Sequence, residues 1–182
     1  LLERQAHACL FDGAKLANAR LRVFSRQDPT SLKTILDSTR SLNPKGKILI
    51  VVESLHSMDG DIAPLDKIVD LAHKYDAFTM VDECHATGIF GEGGRGTPEL
   101  FKVEGKIDVI SSTLGKALGG GTGGYTVGPA SVIDVLRNRG RPYLFSNSIA
   151  PAITGASLEV MKMMGENNDL QKKLKANTER FR

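Results

Sequence analysis

Residues 47–53 read KILIVVE and residues 77–82 read AFTMVD. Each is a short apolar run, rich in β-branched side chains, that closes on a single acid. A run of that length bounded by turn residues predicts a strand buried on both faces, as strands of parallel sheets are. Between the two, Pro64 precedes Leu65, Ile68, Val69, Leu71 and Ala72, an apolar stripe at helical spacing with proline where a helix can begin. Strand, helix and strand in that order make one unit of an α/β sheet, and ligands of such sheets gather at the strand ends.

The same reading extends outward. Upstream, Asn43-Pro44-Lys45-Gly46 is turn chemistry, 31–42 has helical spacing through Leu32, Ile35 and Leu36, 20–24 (RLRVF) alternates like a strand, and 12–19 predicts a short helix. Downstream, 108–112 (DVISS) and 124–128 (GYTVG) predict two more strands. Helices are expected at 130–138 and 151–164, with a last polar helix at 169–182. The fold class expected is α/β, a mainly parallel sheet flanked by helices, with no internal repeat and no low-complexity tail.

At 182 residues, 41% hydrophobic and 25% charged, the chain suits one cooperative globular unit. Lys and Arg number 24 against 21 Asp and Glu, a net charge of +3 that is spread without a basic block, so a nucleic-acid partner is not expected. No apolar run approaches the roughly 18 residues of a membrane span, so no membrane partner is expected either. Two cysteines, Cys9 and Cys84, cannot build a disulfide framework and fit a reducing compartment, cytoplasm or mitochondrial matrix. The chain opens at Leu1 and reads as a fragment or processed piece.

Two familiar motifs fail on context. Gly119, Gly121 and Gly124 satisfy G-x-G-x-x-G, but no strand directly precedes them and a strand follows where a helix is required. Gly115-Lys116 resembles the end of a phosphate-binding loop, but Ile110 and Ala117 occupy the places of its first glycine and its Ser/Thr. A metal site in Asp82-Glu83-Cys84-His85 is not expected, because adjacent residues of an extended chain point to opposite sides.

Asp82 and His85, three residues apart at a strand end, serve either chemistry or a structural pair. Lys116 lies in TLGKALGG (113–120), flanked by small residues that leave room for a bulky group to reach its amine. An amine, a carboxylate and an imidazole on neighbouring strand ends are the side chains pyridoxal phosphate needs: a lysine for its carbonyl, an acid for its pyridine nitrogen and a donor near its phenolic oxygen.

Five segments then carry a resemblance: SMDGD (57–61), DECHATG (82–88), GRGT (94–97), TLGKALGG (113–120) and RPYLFSNS (141–148). Together they resemble the α-oxoamine synthases, pyridoxal-phosphate transferases of fold type I with an aspartate aminotransferase-like large domain. The resemblance spans nearly the whole chain and implies that residues 1–182 are the central part of that domain. The family's N-terminal phosphate-loop segment and C-terminal small domain would lie outside them.

The resemblance implies that Lys116 carries the Schiff base, that Asp82 bonds the pyridine nitrogen, and that His85 and Ser57 lie at the phenolic oxygen. It also implies that His7 stacks on the ring, Thr113 contacts the phosphate, and Ser146 with Asn147 reaches the neighbouring subunit's phosphate site in a homodimer. The subgroup it points to joins glycine to acetyl-CoA, giving 2-amino-3-oxobutanoate and CoA. Alternatives are sibling synthases of the 8-amino-7-oxononanoate, 5-aminolevulinate or serine palmitoyl kind, or a non-catalytic scaffold subunit. This chain has Ala6, Cys9, Ser54 and His56 where the family usually has Asn, Ser, Gly and Phe.

Overall fold

A computed structural model describes residues 1–26 and 28–181. Its centre is the unit expected from 47–82: β3 (Leu49–Glu53), α3 (Leu65–Lys74) and β4 (Phe78–Asp82), with β3 and β4 parallel and Glu53 in register with Asp82. Around it the chain adds β1 (Leu2–Glu3), α1 (Ala8–Leu16), β2 (Val23–Phe24) and α2 (Pro29–Leu42) before, and α4 (Thr97–Leu100), β5 (Val109–Thr113) and β6 (Gly124–Val127) after. The helices α5 (Ala130–Arg139), α6 (Arg141–Phe145), α7 (Pro151–Glu166) and α8 (Asp169–Phe181) close the order. The six strands form one sheet in the order β2-β1-β3-β4-β5-β6, parallel except for β6, which returns antiparallel to β5. The expected mainly parallel α/β sheet is therefore present.

One core cluster joins Ile50 and Val52 of β3, Val81 of β4, Leu32 and Leu36 of α2, and Leu65, Ile68, Val69 and Ala72 of α3. Burying each of the larger side chains is worth on the order of 1.5–3 kcal/mol relative to leaving it exposed. Side chains alternate along a strand, so the other face of β3 and β4 presents Leu49 and Phe78, which are 43% and 47% exposed. Burial on both faces thus holds only toward the C-terminal ends, where Glu53 and Asp82 are both buried.

Several boundaries differ from the sequence expectation for identifiable reasons. The helix expected at 12–19 begins at Ala8, because the His7 imidazole caps it by accepting from Cys9 N at 3.3 Å, and it ends before Asn18, whose φ of 50° is left-handed. The strand expected at 20–24 contracts to β2, because its partner β1 offers only two residues. β1 itself is too short for any periodicity, yet it lies inside the sheet, with the Leu1 ammonium donating to Leu49 O at 2.6 Å. α4 and α6 are likewise too short to show a period. The other expected strands and helices are found within a few residues of their predicted bounds, and the end of the last helix at Arg182 lies outside the described residues. Among the described residues no helix is long and apolar enough to cross a membrane.

The ends of the strands are held by a buried ion pair. Arg26 Nη2 donates to Glu3 Oε2 at 2.6 Å and to the Glu53 carbonyl at 3.1 Å, and Nη1 donates to the Asp61 carbonyl at 3.0 Å. Both side chains are almost wholly buried, so the pair ties β1, the residues after β2 and the end of β3 together, with hydrogen bonds compensating much of its desolvation.

Candidate active site

β3, β4 and β5 run parallel, so their C-terminal ends open on one edge of the sheet and carry Glu53, Asp82 and Thr113. Asp82 is the last residue of β4, buried, with Oδ1 accepting from Cys84 N at 2.9 Å. Burial, a hydrogen bond to Asp82 and the Asp82 charge push the Cys84 thiol up to about 12, so it stays protonated beside the carboxylate.

The loop that follows is anchored by Glu83. Its carboxylate, buried, accepts from Thr97 N at 2.9 Å and from the Thr97 hydroxyl, while its carbonyl accepts from the hydroxyls of Thr87 and Ser112. Burial raises the Glu83 carboxyl above the ordinary range, against the hydrogen bonds that lower it. A Cβ on Gly96, where φ is 91°, would meet Glu83 Oε2 at 2.0 Å. Gly96→Ala is therefore expected to lower unfolding stability by ~2 kcal/mol through strain and displacement of this anchor, measured by denaturant titration; unchanged stability would contradict the anchoring role.

With the loop fixed, His85 projects over the strand ends and meets the amine of Lys116, Nε2 to Nζ at 2.8 Å. Lys116 comes from the turn after β5. That turn is closed by Leu114 N donating to Gly123 O at 3.0 Å and Gly120 N donating to Leu114 O at 2.6 Å, and a Cβ on Gly120 would crowd Leu114 O at 2.7 Å. The glycines of 119–124 therefore serve a tight return into β6, and Gly115, Lys116 and Ala117 stay exposed on its outer side.

Burial, and next the Lys116 charge, lower the His85 imidazole below its ordinary 6.5, while Glu53 and Asp82 act in the opposite direction. Near neutral pH the ring is then the acceptor of the Lys116 ammonium. The unfolded chain binds this proton more readily than the folded one, so stability falls as pH drops from 6.5 toward the lowered value. His85→Gln is expected to remove that part of the acid loss, visible as a shallower stability-versus-pH slope below neutrality; an identical slope would contradict it.

The other predicted residues are spread around this pair. His7 caps α1, and its Nδ1 is 3.1 Å from Cys9 Sγ. The Cys9 thiol is raised by burial and then by the charges of Asp82 and Glu53. Ser57 stands exposed in the turn between the bridged Leu55 and Ile62, next to His56, whose Nδ1 pairs with Asp59 Oδ2 at 3.0 Å. Thr113 donates to Gly123 O and accepts from Gly115 N, both at 3.1 Å. Ser146 and Asn147 are exposed beyond α6 and, among the described residues, take no part in the hydrogen bonds of Lys116, His85 and Asp82.

Glu53 was not singled out from the sequence. It approaches His85 Nε2 at 4.0 Å and is buried, and its position at the end of an apolar run repeats the pattern that marked Asp82.

A mainly parallel sheet thus carries a lysine, an imidazole and two buried carboxylates at its strand ends. Residues 1–182 match the aminotransferase class I and II family, and the chain belongs to it. It is 46% identical over 176 residues to 2-amino-3-ketobutyrate coenzyme A ligase of Escherichia coli K12, covering 97% of this chain and 44% of that protein. It is 44% identical over 176 residues to 8-amino-7-oxononanoate synthase of Treponema denticola, with 97% and 44% covered. A serine palmitoyltransferase variant from S. paucimobilis, solved with a bound pyridoxal phosphate–myriocin aldimine, superposes with a TM-score of 0.88 at 31% identity, covering 97% of this chain and 43% of that one. The chain thus spans under half the length of these relatives.

Proposed function

We propose that the protein containing this chain is a pyridoxal-phosphate-dependent acyltransferase that joins glycine to acetyl-CoA and releases 2-amino-3-oxobutanoate and CoA. The observation that carries the reading is the Lys116–His85 contact of 2.8 Å over the end of β4, beside buried Asp82. The donor set fits the cofactor: an exposed amine, an imidazole in contact with it, and the buried Asp82 carboxylate at the end of the neighbouring strand. When bound, pyridoxal phosphate supplies an electron sink for charge left at an amino acid's α-carbon.

Lys116 would hold the cofactor through its amine, and its Nζ would accept the α-proton of the amino acid. Asp82 would favour a proton on the pyridine nitrogen by balancing its charge. His85 and Ser57 would bond the phenolic oxygen, His7 would pack on the ring, and Thr113 would take part in phosphate binding. Ser146 and Asn147 serve the phosphate of a neighbouring subunit in a homodimer. Their open position, beside Tyr143 and Phe145 at 66% and 81% exposed, supports that assignment. Residues 1–182 are the central part of the cofactor-binding large domain, in a protein of the cytoplasm or mitochondrial matrix. The free thiols of Cys9 and Cys84 support that compartment.

The identity to the coenzyme A ligase favours glycine, and the nearly equal identity to an 8-amino-7-oxononanoate synthase keeps alanine as the second reading. A methyl group on the α-carbon needs spare volume near His7, so the two separate on one assay. CoA release by the full-length protein is expected to be faster with glycine than alanine or serine, and with acetyl-CoA than pimeloyl- or palmitoyl-CoA. A preference for alanine with the pimeloyl thioester, or for serine with palmitoyl-CoA, would overturn the glycine assignment.

A further inference from the structure

The Glu53 carboxylate is 3% exposed, its Oε2 has no hydrogen-bond partner among the described residues, and its Oε1 is 4.0 Å from His85 Nε2. A buried carboxylate oxygen left without a donor is costly, so it calls for a group that reaches it in some state of the protein. The nearby cation Arg26 bonds the Glu53 carbonyl and spends its charge on Glu3. Among the described residues, His85 is the one ion-pair partner within 4.0 Å of the Glu53 carboxylate.

His85 Nε2 is at the same time 2.8 Å from Lys116 Nζ. A single ring nitrogen cannot accept from an ammonium and donate to a carboxylate at once, so the two contacts are alternatives. Lys116 must lose a proton before its amine can act as nucleophile or base, and Nε2 is the acceptor within reach.

We propose that Glu53 is a positioning residue for His85, stabilising the imidazolium formed when a proton passes from Lys116 Nζ to His85 Nε2. The proton leaves the ammonium as a neutral amine forms, and the new Nε2–H turns to the waiting Glu53 carboxylate. This rests on the reading of Lys116 and His85 as site residues and adds a member to them. The charged or titratable groups facing His85 are Lys116 from the turn after β5, Glu53 from β3, Asp82 from β4 and His7 from the start of α1. Burial first, then Lys116 and His7, lower the imidazole, while Glu53 and, after it, Asp82 raise it.

The test is a histidine NMR titration of the cofactor-free full-length protein, with the His85 signal identified by its loss in His85→Gln. The His85 midpoint is expected to fall by at least a few tenths of a pH unit in Glu53→Gln and to recover in Glu53→Asp, which keeps the charge. A folded Glu53→Gln protein with an unchanged midpoint would overturn the proposal. Should that variant not fold, the wild-type Glu53 side-chain carboxyl carbon signal decides instead: a step at the His85 midpoint is expected, and a flat signal through it would overturn the pairing. The titration needs no cofactor, so it stands apart from the proposed reaction. Failure of the wild type to develop a visible band with pyridoxal phosphate would count against the cofactor reading alone.

Discussion

Full-length protein carrying Lys116→Ala is expected to lose acyl transfer by about 10⁴-fold or more, because in the proposed reaction one amine both holds the cofactor and moves the substrate proton, and proton transfer alone is typically worth about 10²–10⁴-fold. The loss should be confined to chemistry. Lys116 is exposed on the outer side of its turn, and the turn is closed by backbone hydrogen bonds from Leu114 and Gly120 that an alanine leaves in place. The unfolding midpoint should therefore stay near the wild-type value. Retention of activity within about tenfold would remove Lys116 from the centre of the site.

Asp82→Asn is the second large effect. The amide has the same volume and keeps an oxygen for Cys84 N, so the loop through Glu83 to Thr97 should survive. It cannot balance a positive charge on a ring nitrogen in a buried site. Removing one partner of such a buried pair costs on the order of 3 kcal/mol, which at about 1.4 kcal/mol per decade is roughly a hundredfold in turnover. CoA release measured with the variant should fall by that factor while cofactor binding persists. Turnover close to wild type would refute the assigned role of Asp82.

The sheet's centre was legible because its strands are continuous apolar runs and the helix between them carries an unbroken stripe from Leu65 to Ala72. Its edge was not. β1 offers two residues, and what marks them, the pairing of buried Glu3 with Arg26, is visible only once chain neighbours are known. The start of α1 was missed because an imidazole does the capping usually done by a short oxygen-bearing side chain. At the site, Lys116, His85 and Asp82 could be read from types and spacing, since each is a reactive group beside small residues or at the end of an apolar run. Glu53 shares that pattern, but its importance comes from an approach to His85 across 32 residues of chain, and no local spacing encodes it. Ser146 and Asn147 lie exposed beyond α6, and the role proposed for them toward a neighbouring subunit is one that a single chain does not display.

The central claim is that Lys116 is the residue through which this site takes pyridoxal phosphate. Reducing the cofactor-loaded full-length protein with borohydride, digesting it and mapping the pyridoxyl group by mass spectrometry tests that claim most directly. The account predicts one adduct per chain, on the peptide holding residues 113–121, and none in Lys116→Ala. An adduct found only on other lysines would contradict it.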